Sequence, residues 1–139
     1  MKLGLVAMMF VWLPAFPTWA QPGDRLHGLA NELATCAAAY NAVSDKSGRE
    51  SKDLGRFFAG LASESIVAAA MALTHDMSWE QALGLVRNAA AARLVPMRAS
   101  LARGGPDGPF GETMSQCQSL HPVQAKLARE AQQLMRSAR

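Results

Sequence analysis

Apolar residues recur along this chain at steps of three and four positions, which places their side chains on one face of a helix. The first stripe begins after Asp24, a residue suited to the N-cap, and ends near Ser44. The second begins at Leu54 and continues into an alanine-rich half. No segment alternates apolar and polar residues over the length of a strand. The pattern therefore predicts an all-α protein.

Capping signals predict where the second and third helices begin. Ser47 followed by Glu50 has the form of a capping box, and so does Ser78 followed by Gln81. Between these boxes, the segment 74–77 predicts a break. The second helix should therefore begin just after Ser47 and the third just after Ser78.

Proline and glycine divide the rest of the chain. Pro96 lies inside the third helical pattern, where its missing backbone donor predicts a kink or a break. The segment 104–109 is rich in glycine and proline and predicts a loop, and a short fourth helix follows it. Pro122 suits the first turn of a final helix. Residues 21–139 are thus expected to form one domain, a small antiparallel bundle of four or five helices.

The N-terminal sequence has the features of a secretory signal peptide. Lys2 precedes an apolar stretch over residues 3–13, and Thr18 and Ala20 provide small residues before a cleavage point. The stretch is shorter than the roughly 18 residues needed to cross a membrane, which disfavours the alternative of an uncut anchor helix. We therefore expect residues 1–20 to be removed. The mature protein is then soluble and periplasmic or secreted, with no stable membrane insertion.

Two cysteines, Cys36 and Cys117, lie in the mature chain. An exported chain with two cysteines most often forms one disulfide. A redox pair would normally be Cys-x-x-Cys, and a zinc site would need further clustered ligands, and the sequence has neither. We therefore predict a structural disulfide that holds the short fourth helix against the first.

The charge balance argues against one class of partner. Fourteen Lys or Arg stand against eleven Asp or Glu, and removal of Lys2 brings the mature chain close to neutrality. A dedicated nucleic-acid binder is usually more basic, so no nucleic-acid partner is expected. Many alanines and arginines with few lysines are typical of a GC-rich bacterial genome.

Met71, His75 and Met77 form a group that could ligate a soft metal. Met71 and His75 are four residues apart, and thioether and imidazole ligands suit copper or haem. The alternative is that His75 meets the C-terminal dipole of a helix while the methionines fill the core. This alternative is favoured because such loose spacing is common by chance. No cofactor and no metal ligand is therefore assigned.

Two further features have both a structural and a functional interpretation. Lys126, Arg129 and Arg136 form a basic stripe that suits anionic lipid or an acidic partner, but such a stripe is more often a solvated face. Glu64 lies mid-helix beside an alanine-rich face, and it is the carboxylate to examine if it proves buried. The sequence has no Gly-x-Ser-x-Gly elbow and no converging acids, so no catalytic residue is assigned.

These features favour an exported, non-enzymatic protein that binds a protein partner in the cell envelope. Such a role predicts an exposed apolar patch or groove. The alternative is a small haem- or copper-carrying bundle that uses Met71 and His75, which predicts a cavity lined by methionine and histidine. A hydrolase is a further alternative that no motif supports.

Overall fold

The computed structural model describes residues 26–104 and 108–139. Within these ranges the chain forms four helices and no strand, which confirms the all-α bundle. The predicted signal peptide, residues 1–20, and the predicted first cap, Asp24, lie outside the described residues. In chain order the helices are α1 (Gly28–Gly48), α2 (Lys52–Ala72), α3 (Trp79–Gly104) and α4 (Pro109–Ser137).

The helices pack around a central pair, α1 and α2, which share the most extensive contact in the bundle. Residues 49–51 join this pair, and so short a connection makes it antiparallel. Arg93 contacts Asn31 and Arg98 contacts Asp45, which places α3 parallel to α1. α3 packs mainly on α1 and α4 mainly on α2, while α3 and α4 touch each other least. A cleft therefore opens between α3 and α4, with α1 behind it.

Small side chains allow the central helices to lie close together. Residues 37–39 of α1 and 68–70 of α2 are alanines with no exposed surface. Near the α1–α2 turn, a Cβ built at Gly55 would lie 2.8 Å from the Cα of Gly48. The Ser44 hydroxyl donates a hydrogen bond to the Gly55 carbonyl at 2.6 Å across the same contact. Alanine and glycine therefore set the spacing of this pair, and larger side chains would force the helices apart.

One predicted helix start is wrong and the other is confirmed. α1 continues past Ser47, and Ser51 caps α2 instead, its hydroxyl accepting from the backbone N–H three residues on at 3.4 Å. Ser47 is not a cap because α1 runs through it to Gly48, where Ser47 and Gly48 are half-buried and Gly48 lies against Gly55 of α2. At α3, Ser78 and Gln81 form the predicted reciprocal box, with hydrogen bonds of 3.2 and 3.3 Å.

Neither internal proline breaks its helix. α3 runs through Pro96, and α4 runs through Pro122 as one helix of 29 residues. The prediction of a short fourth helix followed by a separate final helix is therefore wrong, because the two are one helix. Each proline removes the hydrogen bond to the carbonyl four residues earlier, at Ala92 or Gln118. Both prolines and both of these residues are exposed, so water can bond the freed carbonyl. Burial of the opposite helix face then outweighs the local cost.

Among the described residues, α2 has the length and mean hydropathy of a membrane-crossing helix. Its second half includes Ala62, Ser65 and residues 68–70, all buried, and α2 contacts each of the other helices. A core helix meets the same criteria. Packing inside the bundle therefore accounts for the apolar second half of α2, whereas Leu54 and Phe57 near its start are exposed.

Candidate functional site

The two cysteines form the predicted disulfide. Cys36 of α1 and Cys117 of α4 are joined by an S–S bond of 2.09 Å, and their Cα atoms lie 5.6 Å apart. Both are buried, and Tyr40 and Ala62 belong to the same apolar cluster. Because α4 is one long helix, the bond does not secure a separate short helix as predicted. It ties the first half of α4 to the central pair.

A buried polar cluster joins α2 to α4. The Ser65 hydroxyl donates to Gln124 Oε1 at 2.5 Å, and both residues are fully buried. Gln124 Nε2 donates to Glu64 Oε1 at 3.0 Å and to the Leu61 carbonyl at 3.5 Å. Across the described ranges, every buried side-chain nitrogen or oxygen has a hydrogen-bond partner. The cluster therefore fixes the register of the two helices.

Glu64, the carboxylate singled out from the sequence, is half-buried and belongs to this cluster. Burial, and then the negative charge of Glu64, raise the pKa of Tyr40 above its ordinary value of 10.0. Tyr40 is thus held neutral beside the disulfide. Sequence analysis missed Gln124, although its place between Leu120 and Leu127 on the inward stripe of α4 was a usable signal.

Met71, His75 and Met77 lie at the end of α2 and in its connection to α3. Met71 is half-buried, His75 is exposed, and Met77 is half-buried against the core. Met77 lines a shallow pocket with His27, and neither Met71 nor His75 is among its lining residues. Over residues 26–104 and 108–139, no group of three or more His, Cys, Asp or Glu is placed to hold a metal. The copper or haem interpretation stays a prediction.

The basic stripe lies on the outer face of α4. Lys126, Arg129 and Arg136 are all exposed. Ala131 is the last buried residue of α4, so Arg136 belongs to turns beyond the core. None of the three cations forms an ion pair within the part of the chain that the structure describes. The stripe is therefore exposed, and its function stays a prediction.

Leu54 and Phe57 form a small apolar patch at the start of α2. They lie one turn apart and are 50% and 60% exposed. The Phe57 ring meets Phe58 edge-on, with centroids 5.3 Å apart, and Phe58 packs against the disulfide cluster. Two side chains are too few to form a stable protein interface by themselves.

A groove of about 670 Å³ lies between the C-terminal halves of α1 and α3. Its volume falls within the range of protein ligand sites, and it is open to solvent. Its lining combines apolar and charged side chains. Its lining residues are Ala42, Asp45 and Lys46 from α1, Arg49 directly after α1, and Arg98, Leu101 and Ala102 from α3.

Cations outnumber anions in this groove, which we call the α1–α3 groove. Arg98 donates to Asp45 Oδ2 through Nε at 3.0 Å and also through Nη2, which closes one ion pair between the two helices. Lys46 and Arg49 form no ion pair with any described residue. Part of their charge offsets the negative C-terminal end of α1. The groove therefore keeps two cations without a carboxylate partner beside apolar side chains.

Arg93 fastens the middle of α3 to α1. Its Nη1 donates to the Asn31 carbonyl at 2.9 Å and to Thr35 Oγ1 at 3.0 Å, and its Nη2 donates to Asn31 Oδ1 at 2.6 Å. Burial lowers the pKa of Arg93, because the charged form loses hydration. Sequence analysis did not single out Arg93, since the pattern does not distinguish it from the exposed arginines of α3.

No family model, no curated protein and no solved structure matches this chain. Its function is therefore argued from its own residues.

Proposed function

We propose that this protein is an exported, non-enzymatic binding protein of the bacterial cell envelope, and that its partner is a protein with an acidic segment. The observation that carries the proposal is the α1–α3 groove, in which Lys46 and Arg49 lack a carboxylate partner among the described residues. Charged and apolar groups side by side suit a peptide segment that carries both acidic and apolar side chains.

Export is supported by two independent features. The sequence of residues 1–20 has the form of a signal peptide. The buried disulfide between Cys36 and Cys117 is typical of proteins in an oxidising compartment, where such bonds form and persist. Both features favour a periplasmic or secreted address.

A binding role is favoured over catalysis by the groove's composition. Its lining has no histidine, cysteine or serine, and its one carboxylate, on Asp45, is held by Arg98. Acid–base or nucleophilic chemistry needs a reactive group that neighbouring groups hold and activate, and Lys46, the candidate left in the lining, is exposed and forms no ion pair with a described residue. The groove instead supplies charge and shape, which suit recognition.

The first test of the proposal is the cellular location of the protein. The full chain is expressed in a bacterium and recovered from the periplasm, and its intact mass is measured. We expect a chain that begins at Gln21 and carries no free thiol. An uncut chain that begins at Met1 would contradict the exported, soluble form.

The partner is then sought by capture from a periplasmic extract. The wild type is compared with a variant that carries Lys46→Gln and Arg49→Gln, and with a matched control that carries Lys126→Gln and Arg129→Gln on α4. All four residues are exposed, so both variants should keep the wild-type helix content and unfolding midpoint. We expect a specific captured protein to be lost with the groove variant and kept with the control.

The same pair of variants can overturn the assignment. If only the α4 control loses the captured protein, the contact lies on the basic stripe and not in the groove. If the wild type and both variants capture the protein equally, neither cationic surface takes part in the interaction. A groove contact should also weaken as salt rises, since it depends on exposed charges.

A further inference from the structure

The C-terminal end of α4 projects beyond the packed core of the bundle. Ala131 is the last buried residue of α4, and the helix continues to Ser137. Every residue from 132 to 139 is exposed, so these last turns are not covered by any described part of the chain. A helix end of this kind is available to a partner outside the molecule.

The inward face of α4 stays apolar past the core. Leu134 and Met135 follow Ala131 by three and four positions, so they continue the face that Ala131 buries. Both side chains are 42% exposed. Val123, which is 40% exposed, and Leu127, which is half-buried against the core, share the flank of Leu134. An apolar strip therefore runs along α4 and ends in solvent.

The other side of the same helix is cationic. The basic stripe, Lys126, Arg129 and Arg136, is exposed and forms no ion pair with any described residue. Leu134 lies five residues after Arg129 and two before Arg136, and these spacings place both arginines on the far side of the helix from the leucine. Apolar side chains on one face and cations on the other are typical of helices that lie in a membrane interface.

Charge favours an anionic occupant for this end of α4. Residues 122–139 contain four basic residues and one acidic residue, Glu130. A second copy of the chain would bring like charges together, which disfavours self-association through this end. An anionic membrane instead attracts each basic residue that comes near its surface. We propose that the C-terminal end of α4 binds the surface of a membrane that contains anionic phospholipid.

The shape of this end favours a membrane over a folded protein. A helix end that projects from the core is convex, and stable protein interfaces bury about 800 Å² on each partner, more than two turns of one helix provide. A membrane surface adds many small contributions, because apolar side chains enter the headgroup region while cations meet the lipid charge. The contact is peripheral, and the bundle stays in water. It shares no residue with the α1–α3 groove and does not depend on the proposed protein partner.

The experiment mixes the chain, as recovered from the periplasm, with vesicles that can be sedimented. One preparation is phosphatidylcholine alone, and the other contains phosphatidylglycerol as well. We expect the protein to sediment with the phosphatidylglycerol vesicles, to stay in solution with phosphatidylcholine alone, and to be released as salt rises. Equal sedimentation with both preparations, or with neither, would overturn the proposal.

Charge variants locate the contact on α4. Arg129→Gln with Arg136→Gln should lower vesicle binding by about tenfold or more, since each cation near the surface contributes about fivefold. Lys46→Gln with Arg49→Gln is the matched control, because it removes the same charge elsewhere and should lose far less. All four residues are exposed, so both variants should keep the wild-type helix content and unfolding midpoint. Equal losses in the two variants would mean that binding follows net charge, and the proposed site would be wrong.

Apolar variants separate membrane contact from attraction by charge alone. Leu134→Gln with Met135→Gln keeps the charge and should lower vesicle binding by about tenfold, because two side chains no longer leave water. Leu54→Gln with Phe57→Gln, which alters the exposed pair at the start of α2, should bind as the wild type does. Unchanged binding by the α4 variant would show that attraction by charge suffices, and loss with the α2 variant alone would place the contact on α2. Either result would refute the proposal.

Discussion

Replacing Gly55 by alanine should force the two central helices apart. The Cβ would lie 2.8 Å from the Gly48 Cα, 3.3 Å from the Gly48 N and 3.4 Å from the Ser44 carbonyl oxygen. All three are backbone atoms of α1, so no side-chain rotation can relieve the contact. The helix must move, and the hydrogen bond from the Ser44 hydroxyl to the Gly55 carbonyl must lengthen with it.

The size of the effect follows from two opposing contributions. Overpacking a close contact costs about 1–3 kcal/mol. Replacing glycine by alanine raises the free energy of unfolding by about 0.5–1 kcal/mol, because alanine restricts the unfolded chain and favours the helix. The net result should be a loss of about 1–2 kcal/mol in the free energy of unfolding. Gly60 on the same helix is the matched control, because a Cβ there meets nothing within 4 Å and Gly60→Ala should stabilise by about 0.5–1 kcal/mol.

Urea unfolding followed by circular dichroism measures both variants under one protocol. The expected outcome is a lower midpoint for Gly55→Ala and a higher midpoint for Gly60→Ala, at unchanged denaturant dependence. Two midpoints that rise together would show that the α1–α2 contact is not as close as described. If both midpoints fall, alanine does not stabilise α2 relative to glycine, and the second of the two contributions is wrong.

Three further predictions concern the disulfide, the tyrosine and the metal candidates. Cys36→Ala with Cys117→Ala should lower the free energy of unfolding by about 2–4 kcal/mol, and hydrogen exchange should rise first in the first half of α4; equal protection with and without the bond would contradict this. Tyr40 is the one tyrosine, so tyrosinate absorbance should titrate above pH 10.0. Its contribution to stability should be complete below that pH and lost as pH rises through the raised pKa, and Tyr40→Phe should remove this alkaline loss. Met71→Leu with His75→Ala should change neither stability nor copper uptake, whereas loss of a stoichiometric copper site would establish the carrier interpretation.

The fold class could be predicted because the features that determine it are local or periodic. Helical spacing of apolar residues recurs in every element, and the Ser78 and Gln81 cap depends on residues three apart. The disulfide was predictable because Cys36 and Cys117 both lie on inward stripes and no other cysteine competes. Pattern and cysteine count therefore suffice for an all-α bundle with one bond between α1 and α4.

Helix boundaries were predicted less well because tertiary contact overrides local signals. Ser47 has the sequence of a cap, but it lies in the last turn of α1, which ends at Gly48 in contact with Gly55 of α2. Pro122 has the sequence of a helix start, but the buried face of α4 continues on both sides of it, at Cys117 and Gln124. A proline on an exposed face costs one hydrogen bond that water can replace. Only the packed structure decides which effect is larger.

The candidate sites were largely beyond sequence reasoning because they depend on contacts between distant residues. Arg93 and Arg98 lie five positions apart on α3, and in sequence they are two equivalent helix arginines. The fold gives Arg98 the carboxylate of Asp45, 53 residues away, and gives Arg93 the neutral oxygens of Asn31, 62 residues away. The first arginine of this pair thus meets only neutral oxygens, while the second is paired with a carboxylate. The chemistry of each arginine therefore depends on which distant oxygens the fold brings to it.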